Sequence, residues 1–224
     1  MKVINIAVLL TCHNRRGKTE RCLRSLMASY DGYYKDDIHM EVFLTDDGCT
    51  DGTDAAVSSI FQDARQLHII KGNGNLFWAG GMRLCWKEAM RQHRRWDYYL
   101  LLNDDVEIME NMFDETLSTM RFAKNILGLE GLVSGVTCDK GNKELTTYGG
   151  SVWKNRFLST FHMLSPSGSP QKCDLPNANI LLVPTSVVEK IGIFYRGYQH
   201  GAADYDYGVM ARKKGIPVLI TSCY

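Results

Sequence analysis

Short apolar runs alternate with helix-like segments through the first half of this 224-residue chain. Residues 4–11, 40–45, 67–71 and 98–102 are each too short for a helix and predict buried strands. Segments 18–29, 54–64 and 79–92 predict the intervening helices. This alternation predicts an α/β fold in which helices cover both faces of a parallel sheet. Because right-handed crossovers bring the carboxyl ends of such strands to one edge, we expect the ligand there.

The second half of the sequence is less regular. Residues 132–137, 148–153 and 180–184 predict strands, and 164–170, rich in Ser, Pro and Gly, predicts a loop. A last helix is expected over 203–214, ended by Gly215 and Pro217. The length suits one large domain, and no linker is evident.

Charge and cysteine usage exclude several classes of protein. A formal net charge of +1 gives no indication of a nucleic-acid-binding surface. Any bound anion must therefore be held by a few residues at its own site. The seven cysteines are scattered and form no Cys-x-x-Cys pair, which favours a reducing, cytoplasmic compartment without structural zinc. The apolar run near the start is too short for a signal peptide or a spanning helix, although surface contact with a membrane stays open.

An acidic cluster, Asn103-Asp104-Asp105, directly follows the apolar run 98–102. Adjacent carboxylates at a strand end repel each other unless a cation sits beside them. Mn²⁺ and Mg²⁺ are typically held by one or two carboxylates together with substrate phosphates. We therefore predict Asp105 as a direct metal ligand and Asp104 as a second ligand or a partner for a ribose. The alternative is a cluster that caps a helix starting at Glu107.

A second acidic pair, Asp46-Asp47, ends the run 40–45 and leads into a turn rich in Asp and Gly. An aspartate at this position can accept hydrogen bonds from a nucleobase imide or a ribose hydroxyl. The alternative is a solvated turn in which Thr53 caps the following helix. Asp51 is more simply explained by helix capping or exposure.

The glycine-rich segment 72–81 lies between the third strand and a helix. Its backbone amides and the helix N-terminus suit a phosphate, which predicts donor contacts at Gly74, Asn75, Gly80 and Gly81. It is not a dinucleotide fingerprint, because Phe77 stands at the third glycine position.

Three further side chains near these strand ends have two interpretations each. Arg83, in the first helical turn, either reaches a diphosphate or forms a surface salt bridge. Trp78 either walls the pocket and stacks on a sugar or packs in the interior. His13, directly after the first strand, either contacts the nucleotide or is an ordinary loop histidine.

A third acidic pair, Asp204 and Asp206, precedes the helix that carries Arg212. A carboxylate that takes a proton from an attacking hydroxyl needs hydrogen-bond reach first and a suitable pKa second. Asp204 is the candidate base, and its alternative role is the N-cap of the last helix. Asp206 either pairs with Arg212 or is itself the base.

Taken in order, these motifs resemble family 2 glycosyltransferases, most closely the non-processive, rhamnosyltransferase-like members. The resemblance spans about residues 4–218 and rests on five segments that are weak singly and strong together. They are Val8-Leu9-Leu10-Thr11-Cys12-His13-Asn14-Arg15, Asp46-Asp47-Gly48-Cys49-Thr50-Asp51-Gly52, Asn75-Leu76-Phe77-Trp78-Ala79-Gly80-Gly81, Leu102-Asn103-Asp104-Asp105-Val106, and Asp204-Tyr205-Asp206 with Ala211-Arg212-Lys213-Lys214-Gly215.

The resemblance implies a GT-A fold and an inverting transfer of a sugar from a nucleoside diphosphate donor, with UDP or dTDP sugars favoured. It implies Mn²⁺ or Mg²⁺ as cofactor and a hydroxyl of a glycan or lipid-linked molecule as acceptor. By likeness, Thr11 and Asp46 or Asp47 contact the nucleoside, and His13, Asn14 and Arg15 line the donor site. The metal motif maps onto Asn103-Asp104-Asp105, and the base onto Asp204.

The resemblance also divides the domain into a nucleotide-sugar-binding half, about 1–106, and an acceptor-binding half, about 107–224. It implies polysaccharide biosynthesis for the cell envelope, in the cytoplasm or peripherally at the inner face of the plasma membrane, and it leaves a homodimer open.

The sequence departs from the family pattern at three places. Ala203 stands where the family often has Glu before the base, and Asn103 replaces the first Asp of the metal motif. The sequence ends at Tyr224, where relatives commonly continue, so we expect a truncated or an unusually short protein. A Gln-x-x-Arg-Trp motif does not occur, which disfavours a polymerising enzyme.

Two other functions stay open at this point. One is a non-catalytic nucleotide-sugar binder, consistent with Ala203 and the early end of the sequence. The other is a Mg²⁺-dependent phosphohydrolase. Such an enzyme would need an Asp-x-Asp motif after the first strand, where this sequence has Thr11-Cys12-His13-Asn14.

Overall fold

The computed structural model describes residues 3–34 and 36–224, which form two compact units. The first unit comprises Met1–Asn111 and Ile193–Ala203, and the second comprises Met112–Gly192 and Asp204–Tyr224. Among the described residues, we find no helix with the length and apolar character needed to cross a membrane. The division into halves near residue 106 stays a prediction.

The first unit contains four parallel strands in the order β4-β1-β2-β3. Their bounds are β1 (Ile4–Cys12), β2 (Ile38–Asp46), β3 (Leu67–Lys71) and β4 (Tyr98–Leu102). The register pairs Cys12 with Asp46 and Asp46 with Lys71. The carboxyl ends of β1, β2 and β3 are therefore level with one another, as the sequence predicts.

Three α-helices connect these strands: α1 (Arg16–Ser29), α2 (Thr53–Ser58) and α3 (Phe77–Arg91). The apolar stripe predicted for α1, which includes Cys22, Leu23 and Leu26, is fully buried. Helix α3 buries Trp86 completely, which anchors it in the interior. Amphipathic helices and buried parallel strands together account for the core of this unit.

Helix α2 is shorter than predicted and begins differently. It ends at Ser58, and the rest of the predicted segment leads to a separate 3₁₀ turn, Ala64–Gln66, whose first N–H groups include that of Arg65, bound by the Asp63 side chain. Thr53 does not cap it. Asp51 instead accepts hydrogen bonds from the Thr53 N–H at 3.2 Å and from its hydroxyl at 2.5 Å. Gly52 is the N-cap residue, and Asp51 binds the first residue of the helix from the position before it.

The second unit is mixed. Its helices are α4 (Met112–Phe122), α5 (Thr185–Ile191) and α6 (Ala203–Lys213). Its strands are β5 (Leu132–Ser134), β6 (Thr137–Cys138), β7 (Thr146–Tyr148), β8 (Gly150–Asn155), β9 (Thr160–Met163), β10 (Gln171–Lys172), β11 (Leu175–Pro176), β12 (Ile180–Pro184) and β13 (Val218–Ile220).

The sheet of the second unit has the strand order β10-β13-β5-β12. Only β13 and β5 are parallel there, while β12 and β10 pair with their neighbours in the antiparallel sense. Strands β11, β8 and β9 form a separate antiparallel sheet, and β6 pairs with β7. The strand predicted over 132–137 is interrupted after Ser134, and the predicted strand at 148–153 is divided between β7 and β8.

Candidate active site

Polar side chains from successive strand ends meet at the carboxyl edge of the first unit's sheet. Asp46 ends β2, Lys71 ends β3, and the acidic cluster follows β4 directly. Parallel pairing with level ends is the reason that residues so far apart in sequence become neighbours. The edge predicted as a ligand site therefore exists within the first unit.

Asp46 is buried and ionised. Its Oδ1 accepts a hydrogen bond from the Cys49 backbone N–H at 2.7 Å, and its Oδ2 lies 2.7 Å from Lys71 Nζ. Lys71 also contacts Asp54 at 2.8 Å. Burial alone would raise the pKa of Asp46, but the hydrogen bonds from Lys71 and Cys49 outweigh it and lower the pKa. The carboxylate thus keeps its charge inside the edge.

Asp47 holds the glycine-rich turn in place. Its Oδ1 accepts a hydrogen bond from the Gly74 N–H at 2.8 Å, and its Oδ2 accepts from the N–H groups of Leu76 and Phe77 at 2.9 and 3.2 Å. A Cβ atom at Gly72 would lie 2.5 Å from Asp47 Oδ1 and 2.9 Å from Asp47 Cα, so a larger residue does not fit at position 72.

Two amides of the predicted phosphate cradle already have partners within the protein. The Gly74 amide donates to Asp47, and the Asn75 amide donates to the Asn73 side chain at 3.0 Å. The Asp47 carboxylate satisfies the Gly74 amide that a phosphate was expected to bind, and donor contacts at Gly74, Asn75, Gly80 and Gly81 stay a prediction. The hydrogen bonds that Asp47 accepts from Gly74, Leu76 and Phe77 fix the conformation of this turn.

Gly81 lets helix α3 approach strand β1 closely. A Cβ atom at Gly81 would lie 2.1 Å from Thr11 Oγ1 and 2.7 Å from Thr11 Cβ, far inside van der Waals contact. Thr45 adds a hydrogen bond from its hydroxyl to the Gly81 carbonyl at 2.8 Å. At Gly80 the nearest atom would be Leu76 Cβ, at 3.2 Å. Of the two glycines, Gly81 is the one that the packing demands.

The loop after β1 is tied to the loop after β2. His13 Nδ1 donates to the Asp47 carbonyl at 2.6 Å, so Nδ1 carries the proton in the neutral ring. Asn14 adopts the left-handed conformation, with φ of 49°, and its Oδ1 accepts from the Thr50 N–H at 2.8 Å. Nucleotide contacts by His13 and Asn14 stay a prediction.

Trp78 and Arg83 make contacts that the sequence did not predict. The Trp78 indole N–H donates to Asn103 Oδ1 at 2.7 Å, and its ring lies 5.5 Å from that of Phe194. Arg83 donates to the carbonyl oxygens of Tyr195 and Tyr198 at 3.2 and 2.5 Å. Arg83 thus binds the segment 195–198 through its guanidinium. A diphosphate contact by Arg83 stays a prediction.

Asp104 and Asp105 lie side by side next to two cationic side chains. Asp104 is 4% exposed. Its Oδ1 forms a salt bridge with Arg15 Nη1 at 3.1 Å, and its Oδ2 accepts a hydrogen bond from the Thr19 hydroxyl at 3.3 Å. Asp105 is about one-third exposed, contacts Arg15 Nη2, and lies 3.6 Å from Lys18 Nζ. Burial raises the pKa of Asp104 to about 6, against the opposing effect of Arg15.

The alternative role for this cluster, as the cap of a helix from Glu107, is wrong. The chain is irregular after Asp105, and α4 begins only at Met112. The acidic pair is therefore not explained by helix capping.

The chemistry of these donors fits a divalent cation that is shared with phosphates. Among the described residues, no group of three or more His, Cys, Asp or Glu side chains is placed to hold a metal. Two adjacent carboxylates are nevertheless sufficient when a diphosphate and water supply the other oxygen ligands. The contacts of Asp105 with Arg15 and Lys18 all use Oδ2, and Asp105 is the more exposed carboxylate of the pair.

Asp204 belongs to the second unit, where it lies in the first turn of α6. It is 8% exposed, its Oδ2 accepts from the Ala178 N–H at 3.1 Å, and its Oδ1 accepts from the Tyr205 N–H at 3.0 Å. Burial raises its pKa despite these hydrogen bonds. Asp204 lies inside the helix rather than at its N-cap, because α6 begins at Ala203.

Asp206 lies in the same first turn and is partly exposed. The predicted pair between Asp206 and Arg212 does not form, since Arg212 contacts Asp174 instead. Residues six apart on a helix point to different sides, which explains the failure.

The family model for glycosyl transferase family 2 matches residues 7–148, more than half of the chain. The chain belongs to glycosyl transferase family 2. This match begins within β1 and includes the whole edge described above. A search of curated protein sequences gave no match. The rhamnosyltransferase-like subtype stays a prediction.

Solved structures show the same fold at low sequence identity. The mannosyltransferase PcManGT from Pyrobaculum calidifontis, in complex with GDP-Man and Mn²⁺, matches with a TM-score of 0.64 and 14% identity over 98% of this chain. GalNAc-T7 with UDP, GalNAc and Mn²⁺ matches with a TM-score of 0.70 and 12% identity over 99% of this chain. The chain spans 57% and 42% of the lengths of those two proteins. The predicted GT-A fold is confirmed.

Three residues of this family 2 site were missed from the sequence. They are Lys71, which pairs with Asp46, and Thr19 and Lys18, which contact the acidic cluster from α1. Lys71 closes a strand that the sequence located correctly, so its place at the edge was predictable. The α1 contacts depend on how the loop after β1 turns, and no local pattern encodes that.

Proposed function

We propose that the chain transfers a sugar, with inversion, from a nucleoside diphosphate donor to a hydroxyl of a glycan or lipid-linked acceptor. The observation that carries the proposal is the pair Asp104-Asp105 beside Arg15 and Lys18, at the carboxyl edge of a parallel sheet in a family 2 chain. Hexosyl donors carried by UDP or dTDP are favoured. Polysaccharide synthesis for the cell envelope, in the cytoplasm or at the inner face of the plasma membrane, is part of the proposal.

Arg15 and Lys18 would attract the diphosphate. Both already neutralise carboxylates at the edge, and both are substantially exposed, so phosphate oxygens can reach them. Guanidinium and ammonium groups bind phosphate through charge-assisted hydrogen bonds. As the phosphates engage these cations, Asp105 would be released to act as a ligand.

Asp105, with Asp104 behind it, would hold Mn²⁺ or Mg²⁺ together with the donor. Both structural neighbours were solved with Mn²⁺, which supports this choice. The bound cation supplies positive charge to the departing diphosphate.

Asp46 and Thr11 would recognise the nucleoside. Both oxygens of Asp46 already have donors, but each carboxylate oxygen can accept a second hydrogen bond. Its low pKa keeps it an acceptor, which suits a nucleobase imide or a ribose hydroxyl. Trp78, held by Asn103, would offer its indole face to the sugar.

Asp204 would act as the general base. Burial raises its pKa, which strengthens it as a proton acceptor, and two backbone amides fix its orientation. By taking the proton from the acceptor hydroxyl, it would allow attack on the face opposite the departing diphosphate. Attack from that face inverts the sugar carbon.

Thermal stabilisation tests the donor site. UDP, dTDP and GDP are added separately with Mn²⁺, and one of them should raise the melting temperature. Asp105→Ala should remove most of that shift, whereas Glu107→Ala, a control two residues along the same loop, should retain it. No shift with any nucleoside diphosphate would contradict the proposed donor site.

Transfer assays test the base and separate the alternatives. Asp204→Asn should abolish sugar transfer and donor hydrolysis while the nucleotide-induced shift persists. Asp206→Asn is the matched control, and loss of transfer there alone would reassign the base to Asp206. Wild-type protein that binds the nucleotide but never turns over a donor would support a non-catalytic binder. Phosphate release from simple phosphomonoesters would support a phosphohydrolase.

A further inference from the structure

The hairpin formed by β8 and β9 in the second unit carries an unusually apolar tip. Phe157 is 99% exposed and Leu158 is 72% exposed. Two cationic residues, Lys154 and Arg156, are exposed directly beside them. Phe157 and Leu158 do not contribute to the hydrophobic core of the unit. Exposed apolar side chains of this size mark a surface that binds a partner or a membrane.

The charged residues on the hairpin itself have one sign, and the neighbouring Asp174, which accepts a hydrogen bond from the Trp153 N–H at 2.8 Å, is paired with Arg212. Between Glu144 and Asp174 the sequence contains no acidic residue, while Lys154, Arg156 and Lys172 are basic. The same stretch exposes further large apolar residues, namely Tyr148, Phe161 and Met163. A surface that combines exposed apolar side chains with positive charge complements an anionic, partly apolar surface.

An aromatic line connects the hairpin to the helix of the proposed base. Trp153 and Phe161 are cross-strand partners whose rings are 6.3 Å apart. Phe161 in turn lies 6.0 Å from Tyr205, the residue next to Asp204. All of these residues belong to the second unit, so an apolar path runs along the hairpin toward the turn that contains Asp204.

We propose that the β8–β9 hairpin inserts its tip into the headgroup region of an anionic membrane. Phe157 and Leu158 would enter the boundary with the acyl chains, and Lys154 and Arg156 would contact the lipid phosphates while their stems lie along apolar surface. This deepens the proposed function, on which it rests in one respect: the acceptor would be lipid-linked and presented along the aromatic line. Membrane binding itself does not depend on turnover.

Vesicle co-sedimentation tests the proposal on the full chain. Wild-type protein should bind vesicles that contain phosphatidylglycerol and phosphatidylcholine, and bind weakly to phosphatidylcholine alone. Phe157→Ser with Leu158→Ser should lower the partition coefficient by at least about tenfold, from the lost apolar insertion. Lys154→Gln with Arg156→Gln should lower it on the order of 30-fold on the anionic vesicles only, at about fivefold per charge.

Ile126→Ser is the matched control, since Ile126 is an aliphatic residue of the second unit that is 67% exposed outside the hairpin. It should bind as the wild type does. Failure of wild type to bind anionic vesicles, or unchanged binding by both hairpin variants, would overturn the proposal. Sedimentation velocity tests whether a second copy of the chain covers the tip instead. If the wild type forms a dimer but does not bind vesicles, and the Phe157→Ser, Leu158→Ser variant is monomeric, the tip is a site of self-association and the membrane proposal is overturned.

The nucleotide-induced thermal shift keeps the two proposals separate. It should be the same in the hairpin variants as in the wild type, because the donor residues belong to the first unit. A hairpin variant that keeps the shift and loses vesicle binding supports the membrane assignment. A wild type that binds vesicles without any nucleotide shift would leave the membrane assignment standing and contradict the donor site.

Discussion

Gly81 in helix α3 offers the sharpest test of how this edge is built. The Gly81→Ala variant places a methyl group 2.1 Å from Thr11 Oγ1 and 2.7 Å from Thr11 Cβ. Rotation of the Thr11 side chain can move the hydroxyl, but the Cβ atom is fixed to the central strand β1. The helix must therefore shift away from the sheet to accept the methyl group.

Two opposing effects set the magnitude of the change. Overpacking of this kind costs about 3 kcal/mol when the neighbour is fixed, at the upper end of the usual range. Alanine in place of glycine in a helix returns about 1 kcal/mol. The free energy of unfolding should therefore fall by about 2 kcal/mol, which for a chain of this length lowers the melting temperature by about 4–8 °C.

Urea unfolding followed by tryptophan fluorescence measures the change. Gly80→Ala is the control in the same helix, where the nearest atom, Leu76 Cβ, is 3.2 Å away and has to move by only a few tenths of an ångström, so this variant should be much less destabilised than Gly81→Ala. Thr11→Ala should cost less in the Gly81→Ala background than in the wild type, by at least about 0.5 kcal/mol, since it removes both Oγ1 and Cγ2, which would lie 2.1 and 3.3 Å from the new methyl group, and leaves only the Cβ contact. Equal stabilities for Gly81→Ala and Gly80→Ala would refute the packing argument.

Three further predictions follow from other contacts at the edge. Asp47→Asn should cost about 2–3 kcal/mol and speed hydrogen exchange at the turn amides that it binds, measured by mass spectrometry. Lys71→Met should cost about 1–2 kcal/mol at neutral pH, since it strands the Asp46 carboxylate, whose lowered pKa stabilises the fold above its unfolded pKa. That difference should shrink as pH falls through the pKa of Asp46, in urea titrations at several pH values. Phe77→Gly should be more stable than Phe77→Ala by about 1 kcal/mol in thermal melts, because φ is 55° there.

The strands and the location of the site were largely predictable from the sequence. Strands β3, β4 and β12 have the predicted bounds, because an apolar run between polar residues encodes a buried strand directly. The convergence of Asp46 with the acidic cluster followed from parallel order alone. Helix α4 was missed although Phe113, Leu117 and Met120 recur at helical spacing, so that signal was present in the sequence.

The contacts within the site were not predictable, and the reason is physical. Asp47 satisfies amides some thirty positions away, and Arg83 binds carbonyls more than a hundred positions away. Such partners depend on turns that use left-handed residues, such as Asn14 and Gly48, whose effects extend far beyond any local pattern. Phe77 shows the same limit, since it adopts a conformation for which the sequence would suggest glycine.

The balance of charge at the acidic cluster bears on how a donor would enter. Asp104 and Asp105 carry two negative charges that Arg15 and Lys18 offset, so this cluster of four side chains is close to neutral without a ligand. A diphosphate alone would bring unbalanced negative charge, and a divalent cation alone would be repelled by Arg15 and Lys18, which lie beside Asp105. When the two arrive together, the phosphates can take over the cationic side chains while the metal takes the freed carboxylate. The metal and the diphosphate each lower the free-energy cost of binding the other. By linkage, each therefore raises the affinity of the site for the other.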